Sequence, residues 1–308
     1  MRKLLFAFLL CLGAVNANPL DPVVRSQINV HQYYSKMIDY YQKEDWKRLA
    51  WQCQDLIADF PTSPFARESY YYLGVAHLNM NNFAFANQAF SDYLKEELSP
   101  KFFDQVIRYK FEIAKAFDGG ARTHLFGWHR MPKWLPAYEE AIEIYDEVIT
   151  TLPRDDLAAQ SLFHKGALLL RMEEYAKSVE AFQTLIRRFP KHPLAVDGYI
   201  GISHAHLTEC EKEFPDENKL ELAQISLRKF RYQFPSEPRI EEAEGMVLKM
   251  KEELAKDLLE IAEFYQRTKK PKAAKIYHDT ILKRYPETKT ALKSEKQLEK
   301  LHVKMDSH

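Results

Sequence analysis

The sequence predicts an all-α protein built from about six helical hairpins of similar length. Glycine is scarce, with 9 residues in a chain of 308, and apolar residues recur at helical spacing almost everywhere. An aromatic residue or leucine followed by proline recurs at the ends of helical runs, as Phe60-Pro61, Leu152-Pro153, Phe189-Pro190, Phe234-Pro235 and Tyr285-Pro286. Proline cannot continue a helix and disfavours helix in the residue before it. Each pair therefore closes a helix at the same point of a repeated unit.

The first 17 residues are predicted to be a secretory signal peptide. Two basic residues precede an apolar run over residues 4–12, which is about half the ~20 residues that a membrane-spanning helix needs. Small residues allow cleavage after Ala17, and the alternative is an apolar first helix of a cytosolic protein. Residues 18–308 are then expected to form a single exported domain, in the periplasm or on the periplasmic face of the outer membrane.

The cysteines argue against a lipid anchor and against a disulfide framework. A lipoprotein signal places a small residue directly before the acylated cysteine, whereas bulky Leu10 precedes Cys11. The sequence therefore predicts no anchor, with lipidation at Cys11 as the alternative. Cys53 and Cys210 are too few and too far apart to staple a fold. Each falls in a helical pattern and is expected to pack as a small apolar group.

The charge balance and the motifs favour a binding protein over an enzyme. The chain has 44 basic and 44 acidic residues, which argues against a general electrostatic nucleic-acid binder. No phosphate-cradling glycine motif and no serine nucleophile elbow occurs, and no cofactor is predicted. His206 and Cys210, four residues apart, could share a metal, but no further ligands are evident nearby. The alternative is an enzyme that uses His124, His129 and Arg130.

The clearest repeat runs from residue 159 to about residue 192. Gly166 is its eighth residue, Phe182 its twenty-fourth and Pro190 its thirty-second. A larger side chain at Gly166 would obstruct the close approach of the first helix, helix A, to the second, helix B. The same register recurs at residues 67–100 and near the C-terminus. This pattern resembles the tetratricopeptide repeat of ~34 residues.

Weaker units fill the gaps, at residues 31–61, 102–153 and 194–235. The last of these is predicted to have a long connection, from Cys210 to Asn218, between its two helices. Residues 239–256 read as a charged helix that bridges the last two units, and residues after Thr290 as a terminal capping helix. Since one hairpin cannot bury its apolar face alone, the units are expected to stack into a right-handed superhelix.

An insertion at residues 118–136 interrupts the third unit. Its aromatic content makes disorder unfavourable, because fully burying a large apolar side chain contributes roughly 1.5–3 kcal/mol. Phe126, Trp128 and Trp134 are predicted to form a compact hook. The hook either packs against the repeats, which we favour, or presents an aromatic knob to a partner.

Several local sequences resemble one bacterial family. The segment Leu258-Leu-Glu-Ile-Ala-Glu-Phe-Tyr265 and the segment Arg284-Tyr-Pro-Glu-Thr288 are similar to that family's penultimate helical pair. Phe60-Pro-Thr-Ser-Pro-Phe-Ala66 is similar to its first repeat closure, and the insertion stands where the family carries an aromatic insertion of its own. The family is that of BamD, also called YfiO. The resemblance implies a role in folding and inserting β-barrel outer-membrane proteins, although the family's members are normally lipid-anchored.

Helix A of each unit is expected to line a concave binding face through its positions two, five, nine and twelve. Over the first three units these positions are His31, Tyr34, Ile38, Tyr41, Glu68, Tyr71, Val75, Leu78, Arg108, Phe111, Lys115 and Asp118. Aromatic side chains with a polar tip suit a groove that grips a peptide. The partner-binding residues predicted from this stripe are Tyr34, Tyr41, Tyr71, Leu78, Arg108 and Phe111. The alternative is that part of the stripe packs beneath neighbouring loops.

The sequence therefore predicts a non-catalytic scaffold for proteins in the bacterial envelope. The expected partners are a component of the barrel-assembly machine or unfolded segments of outer-membrane proteins, with no nucleic acid and at most a peripheral membrane contact. A periplasmic protein of the same fold that coordinates cell-wall or division machinery is the alternative.

Overall fold

The computed structural model describes residues 30–95, 100–124, 133–213 and 215–306, and within them it contains thirteen helices. The helices are α1 Val30–Gln42, α2 Trp46–Asp59, α3 Pro64–Asn79, α4 Phe83–Lys95, α5 Phe103–Asp118, α6 Tyr138–Thr151, α7 Asp156–Arg171, α8 Tyr175–Arg188, α9 Leu194–Lys212, α10 Glu217–Gln233, α11 Ile240–Arg267, α12 Pro271–Arg284 and α13 Lys289–Asp306. Strands β1 Arg122–His124 and β2 Lys133–Pro136 lie between α5 and α6. Within these described ranges the protein is all-α apart from this short ribbon, and the predicted fold class is confirmed.

The helices follow one another as six hairpins and a terminal helix. Within each compact part of the chain most consecutive helices pack together, and the first helix of a hairpin also contacts the first helix of the next, as in α1 with α3 and α7 with α9. The chain divides into two compact units, residues 1–106 and 107–308, which we describe separately. The prediction of one continuous domain and that of a right-handed superhelix stay predictions.

The aromatic-proline pairs end helices as predicted. Five residues that precede a proline cap α2, α6, α8, α10 and α12, with φ between −121° and −132° and ψ between 47° and 64°. Each donates its backbone N–H to the carbonyl oxygen four residues earlier. One backbone conformation thus closes five of the six hairpins, and the proline that follows prevents a further turn of helix.

A left-handed residue joins the two helices in four of the hairpins. Glu44, Asn81, Glu173 and Lys269 have φ of 54°, 55°, 63° and 57°. Each lies two residues before the first residue of helix B. This conformation is unfavourable for residues other than glycine and, to a lesser degree, asparagine. The packing of the two helices against each other therefore imposes the turn.

A single phenylalanine ring packs against two glycines, one on α7 and one on α9. A Cβ atom built on Gly166 would lie 2.8 Å from Cε1 of Phe182, and one built on Gly201 would lie 2.6 Å from Cε2 and Cζ of the same ring. Gly74 makes the equivalent contact with Phe90, at 2.4 Å. The close helix approach predicted at Gly166 is confirmed.

Two local predictions are wrong. Residues 239–256 are not a separate bridge, because α11 runs unbroken from Ile240 to Arg267 and is itself helix A of the last hairpin. The connection between α9 and α10 is short, because α9 continues to Lys212 and α10 begins at Glu217. A further feature was not predicted: the two ends of the insertion pair as an antiparallel ribbon with an irregularity between Thr123 and His124.

Both remaining cysteines behave as apolar core residues. Cys53 is fully buried on α2 and Cys210 is buried on α9, and both are free thiols. Burial raises the pKa of each thiol, that of Cys210 to about 11. The thiols are therefore protonated at neutral pH, as expected of packed rather than reactive cysteines.

Candidate functional site

Two half-buried tyrosines form a ledge on α1, which we call the tyrosine ledge and define as Tyr34 and Tyr41. The ring of Tyr34 lies 4.5 Å from that of Phe65, centroid to centroid, and the ring of Tyr41 meets Tyr72 edge-on at 5.1 Å. These contacts fix the rings while part of each side chain stays exposed. An aromatic surface that is already rigid loses little conformational entropy when a peptide binds.

Polar neighbours surround the hydroxyl of Tyr34. The Glu68 carboxylate and the Tyr72 hydroxyl both lie close enough to influence the pKa of Tyr34. Lys101 Nζ lies 3.1 Å from Glu68 Oε1. Burial raises the pKa of Tyr34, and the neighbouring negative charge of Glu68 raises it further by a smaller amount. Both phenols therefore stay protonated at neutral pH, and Glu68 gives the ledge an acidic, partly neutralised edge.

Two further stripe residues in this unit differ in exposure. Tyr71 is 4% exposed, stacks on Phe102 at 4.0 Å between centroids and donates its hydroxyl to Gln105 Oε1 at 3.0 Å. It is a core residue and presents no surface to a partner in this conformation, so its prediction as a groove residue fails on burial. Leu78, near the end of α3, is half-buried and keeps some apolar surface.

The stripe residues on α5 also separate into one exposed and one buried side chain. Arg108 is exposed and lies close enough to Asp156 to lower the pKa of that carboxyl, though less than His192 does through its hydrogen bond. Phe111 is 3% exposed and meets the ring of His164 edge-on at 5.9 Å. Phe111 therefore packs inside the second unit, and of this pair only Arg108 is available at the surface.

A polar cluster that the sequence did not reveal fastens the start of the insertion. Asp118, the last residue of α5, accepts a hydrogen bond from the Tyr145 hydroxyl at 3.3 Å, pairs with Arg171, and lies 3.6 Å from His164 Nδ1. Arg171 also donates to the Asp118 carbonyl oxygen at 3.0 Å. Burial raises the pKa of Asp118, but the bonds from His164 and Arg171 outweigh it and lower the pKa overall. The root of the insertion is thereby tied to α6 and α7.

The predicted hook falls mostly outside the described residues. Phe126 and Trp128 lie there, as do His129 and Arg130, and Trp134 is described only as backbone within β2. The ribbon pairs Arg122 with Pro136 and Thr123 with Leu135. The two ends of the insertion are therefore held together, which fits a compact hook, while its packing stays a prediction.

The described ranges provide few features of other kinds of site. Within them, no group of three or more histidine, cysteine, aspartate or glutamate side chains is placed to hold a metal. His206 and Cys210 are both buried on α9, and burial lowers the pKa of His206. No helix in those ranges combines the length and the hydrophobicity needed to cross a membrane.

Comparisons with known proteins identify the family but not the individual function. Solved structures of similar topology include a tetratricopeptide repeat protein from Parabacteroides merdae, which is 13% identical over 89% of this chain and 98% of its own, with a TM-score of 0.37. The C-terminal part of such a protein from Cytophaga hutchinsonii is 14% identical over 88% and 90%, with a TM-score of 0.38. Likeness at this level carries no functional information.

The family model is more informative. No curated protein matches the sequence. A model described as "YfiO: Outer membrane lipoprotein" matches residues 136–307, from the end of the insertion into the terminal helix and over more than half of the 308 residues. The resemblance found in the local sequences is thereby confirmed. The chain belongs to the YfiO family of outer membrane lipoproteins.

Proposed function

We propose that this protein is a non-catalytic binding scaffold of the bacterial envelope that helps to fold and insert β-barrel outer-membrane proteins. Membership of the YfiO family carries this proposal. Export by cleavage after Ala17 and an unacylated Cys11 belong to the proposal too, and both positions lie outside the described residues.

The tyrosine ledge is the binding surface that we propose for an extended segment of an unfolded outer-membrane protein. Tyr34 and Tyr41 offer apolar faces and phenol groups together, so they suit a chain in which apolar and polar side chains alternate. The carboxylate of Glu68 lies near Tyr34 and can accept hydrogen bonds, so it provides a contact for unpaired backbone N–H groups of the bound segment. Leu78, half-buried in the same unit, is a further contact of the proposed surface, whereas Tyr71 is buried and is not part of it. In the second unit, exposed Arg108 is proposed as a separate partner contact, and Phe111 is buried.

Site-specific photocrosslinking in cells tests this function. A benzophenone side chain at position 34 should form adducts with an unfolded outer-membrane protein or with a subunit of the barrel-assembly machine. The matched control is position 51, because Trp51 is also aromatic, lies in the same unit and is 73% exposed on α2. Adducts with peptidoglycan synthases in place of barrel components would refute the assembly role and favour a coordinator of cell-wall synthesis.

A second measurement separates the ledge from the function as a whole. The double substitution Tyr34→Ala and Tyr41→Ala should lower the yield of folded outer-membrane barrels, whereas Trp51→Ala should not. Normal barrel yield in cells that lack the entire protein would contradict the proposed function. A defect in those cells, with none in the double variant, would contradict only the assignment to the ledge.

A further inference from the structure

A groove runs along the second unit between α8 and α10, with α9 as its floor. It consists of two hollows of about 840 Å³ and about 380 Å³, which share Tyr199, Ile225 and Lys229 among their lining residues. Because three side chains line both hollows, they form one continuous recess, which we call the α8–α10 groove. It lies wholly within residues 179–234, away from the tyrosine ledge in sequence.

The groove has an apolar floor and two exposed apolar residues on α10. Tyr199 and Ile202 are buried beneath it. Leu222 is 54% exposed and Tyr232 is 91% exposed, and Ile225 lies between them on the same helix. At ~1.5 Å of rise per residue, the distance from Leu222 to Tyr232 is about 15 Å, or roughly three helical turns. A tyrosine exposed to this degree beside an apolar recess is typical of the anchor residues of interfaces.

All the charged residues that line the rim of the groove are basic. Arg187, Lys191, Arg228 and Lys229 line it, and no aspartate or glutamate does. Across the described ranges, no carboxylate lies within ion-pairing distance of any of these four side chains. Arg231, just outside the groove, is by contrast paired with Glu244 at 2.5 Å. The groove therefore keeps a set of cations without counter-charges around an apolar floor.

We propose that the α8–α10 groove binds an amphipathic helix of a partner protein, with an apolar stripe flanked by aspartate and glutamate residues. The acidic flanks follow from the basic rim, and the apolar stripe follows from the floor. We infer a helical ligand because the walls of the groove are themselves helices. Helices present side chains to a ligand but no free strand edge. The backbone groups of a helical ligand are already hydrogen-bonded to one another, so the ligand can enter such a groove without leaving them unpaired. This surface is separate from the one in the proposed function, and the two can fail independently.

Fluorescence anisotropy with two synthetic peptides tests this inference on the purified protein. Both peptides are about fourteen residues long, with leucines at i, i+3, i+4 and i+7; one carries glutamate flanks and the other lysine flanks. The glutamate peptide should bind saturably and more weakly at high salt, and the lysine peptide should not bind. Arg228→Glu with Lys229→Glu should lower the affinity at least about tenfold.

Matched variants make the result decisive. Lys272→Glu with Lys283→Glu makes the same charge change at exposed positions on α12 and should leave the affinity unchanged. Tyr232→Ala should weaken binding without altering the melting temperature, because its side chain packs against little of the protein. Absence of binding, equal binding of the two peptides, or equal losses in the two charge-reversed pairs would overturn the proposal.

An anionic membrane is the competing ligand for a basic, apolar surface. Vesicles of phosphatidylcholine and phosphatidylglycerol distinguish it in a sedimentation assay. Since a recess suits a helix better than a flat bilayer, the protein should not bind these vesicles through the groove. Sedimentation that Arg228→Glu with Lys229→Glu abolishes, without saturable binding of the glutamate peptide, would identify a lipid-binding surface and overturn the proposal.

Discussion

Replacing Gly166 by alanine should destabilise the second unit, although alanine is the better helix former. The new Cβ would lie 2.8–2.9 Å from three atoms of the Phe182 ring, whereas ordinary van der Waals contact begins at 3.4 Å. The ring cannot retreat, because it is 1% exposed and already lies against Gly201 on its other side. Overpacking of this kind costs about 1–3 kcal/mol, and the gain in helix propensity offsets about 1 kcal/mol of it.

We therefore expect a net loss of up to about 2 kcal/mol in the free energy of unfolding, with a melting temperature lower by about 2–4 °C for each kcal/mol. Urea unfolding followed by circular dichroism measures it. Gly245→Ala is the matched control, since a Cβ there meets no atom within 4 Å and Gly245 is an exposed residue in the second turn of α11. That variant should be more stable by about 0.5–1 kcal/mol.

The signs of the two changes in the free energy of unfolding test this reasoning. If Gly166→Ala and Gly245→Ala both stabilise the protein, the close packing of Phe182 is not a constraint and the reasoning is wrong. A second check combines Gly166→Ala with Phe182→Leu. Because the smaller side chain leaves room for the new methyl group, the double variant should be more stable than the sum of the single effects implies.

Three further predictions concern other parts of the chain. Glu147→Ala should lower the free energy of unfolding measured in urea by about 3 kcal/mol, because it removes the carboxylate that lies 2.9 Å from Nζ of the fully buried Lys110; exposed Glu143→Ala should cost under about 0.5 kcal/mol. Burial lowers the pKa of His278 below its unfolded value near 6.5, so stability should fall as pH drops from about 7 to about 5, and His278→Gln should flatten that fall in thermal melts. Trp128→Ala should lower the free energy of unfolding by about 3 kcal/mol with partner binding unchanged; unchanged melting with lost partner capture would identify a recognition knob.

The features of the fold that could be predicted depend on single residues with strong local effects. Proline fixes where a helix ends whatever surrounds it, so five helix ends could be placed from the sequence. The match of Gly166 to Phe182 was similarly accessible, because both occupy fixed positions in the repeat. The left-handed turns were not, since glutamate and lysine at Glu44, Glu173 and Lys269 carry no local signal for positive φ.

The candidate site was harder to predict because burial there depends on the neighbouring hairpin. Tyr34, Tyr71 and Phe111 occupy the same position of helix A in successive units, yet only Tyr34 keeps exposed surface. Phe102 covers Tyr71, and His164 packs against Phe111. The residue pattern of one repeat gives no information about which side chains of the next repeat will cover it. The Asp118 cluster was missed for the same reason, since its members are up to 53 residues apart.

The repeated left-handed turn leaves room for stabilisation that this sequence does not use. A non-glycine residue in this region carries strain of order 1 kcal/mol or more, and the side chains of Glu44 and Lys269 are exposed at two of these turns. Glycine at either position would relieve the strain and leave the helix faces untouched. The same geometry also shows how little the turn demands of its residue. Glutamate, asparagine and lysine occupy the same left-handed position in different hairpins, so the turn constrains the backbone path but not the identity of the side chain.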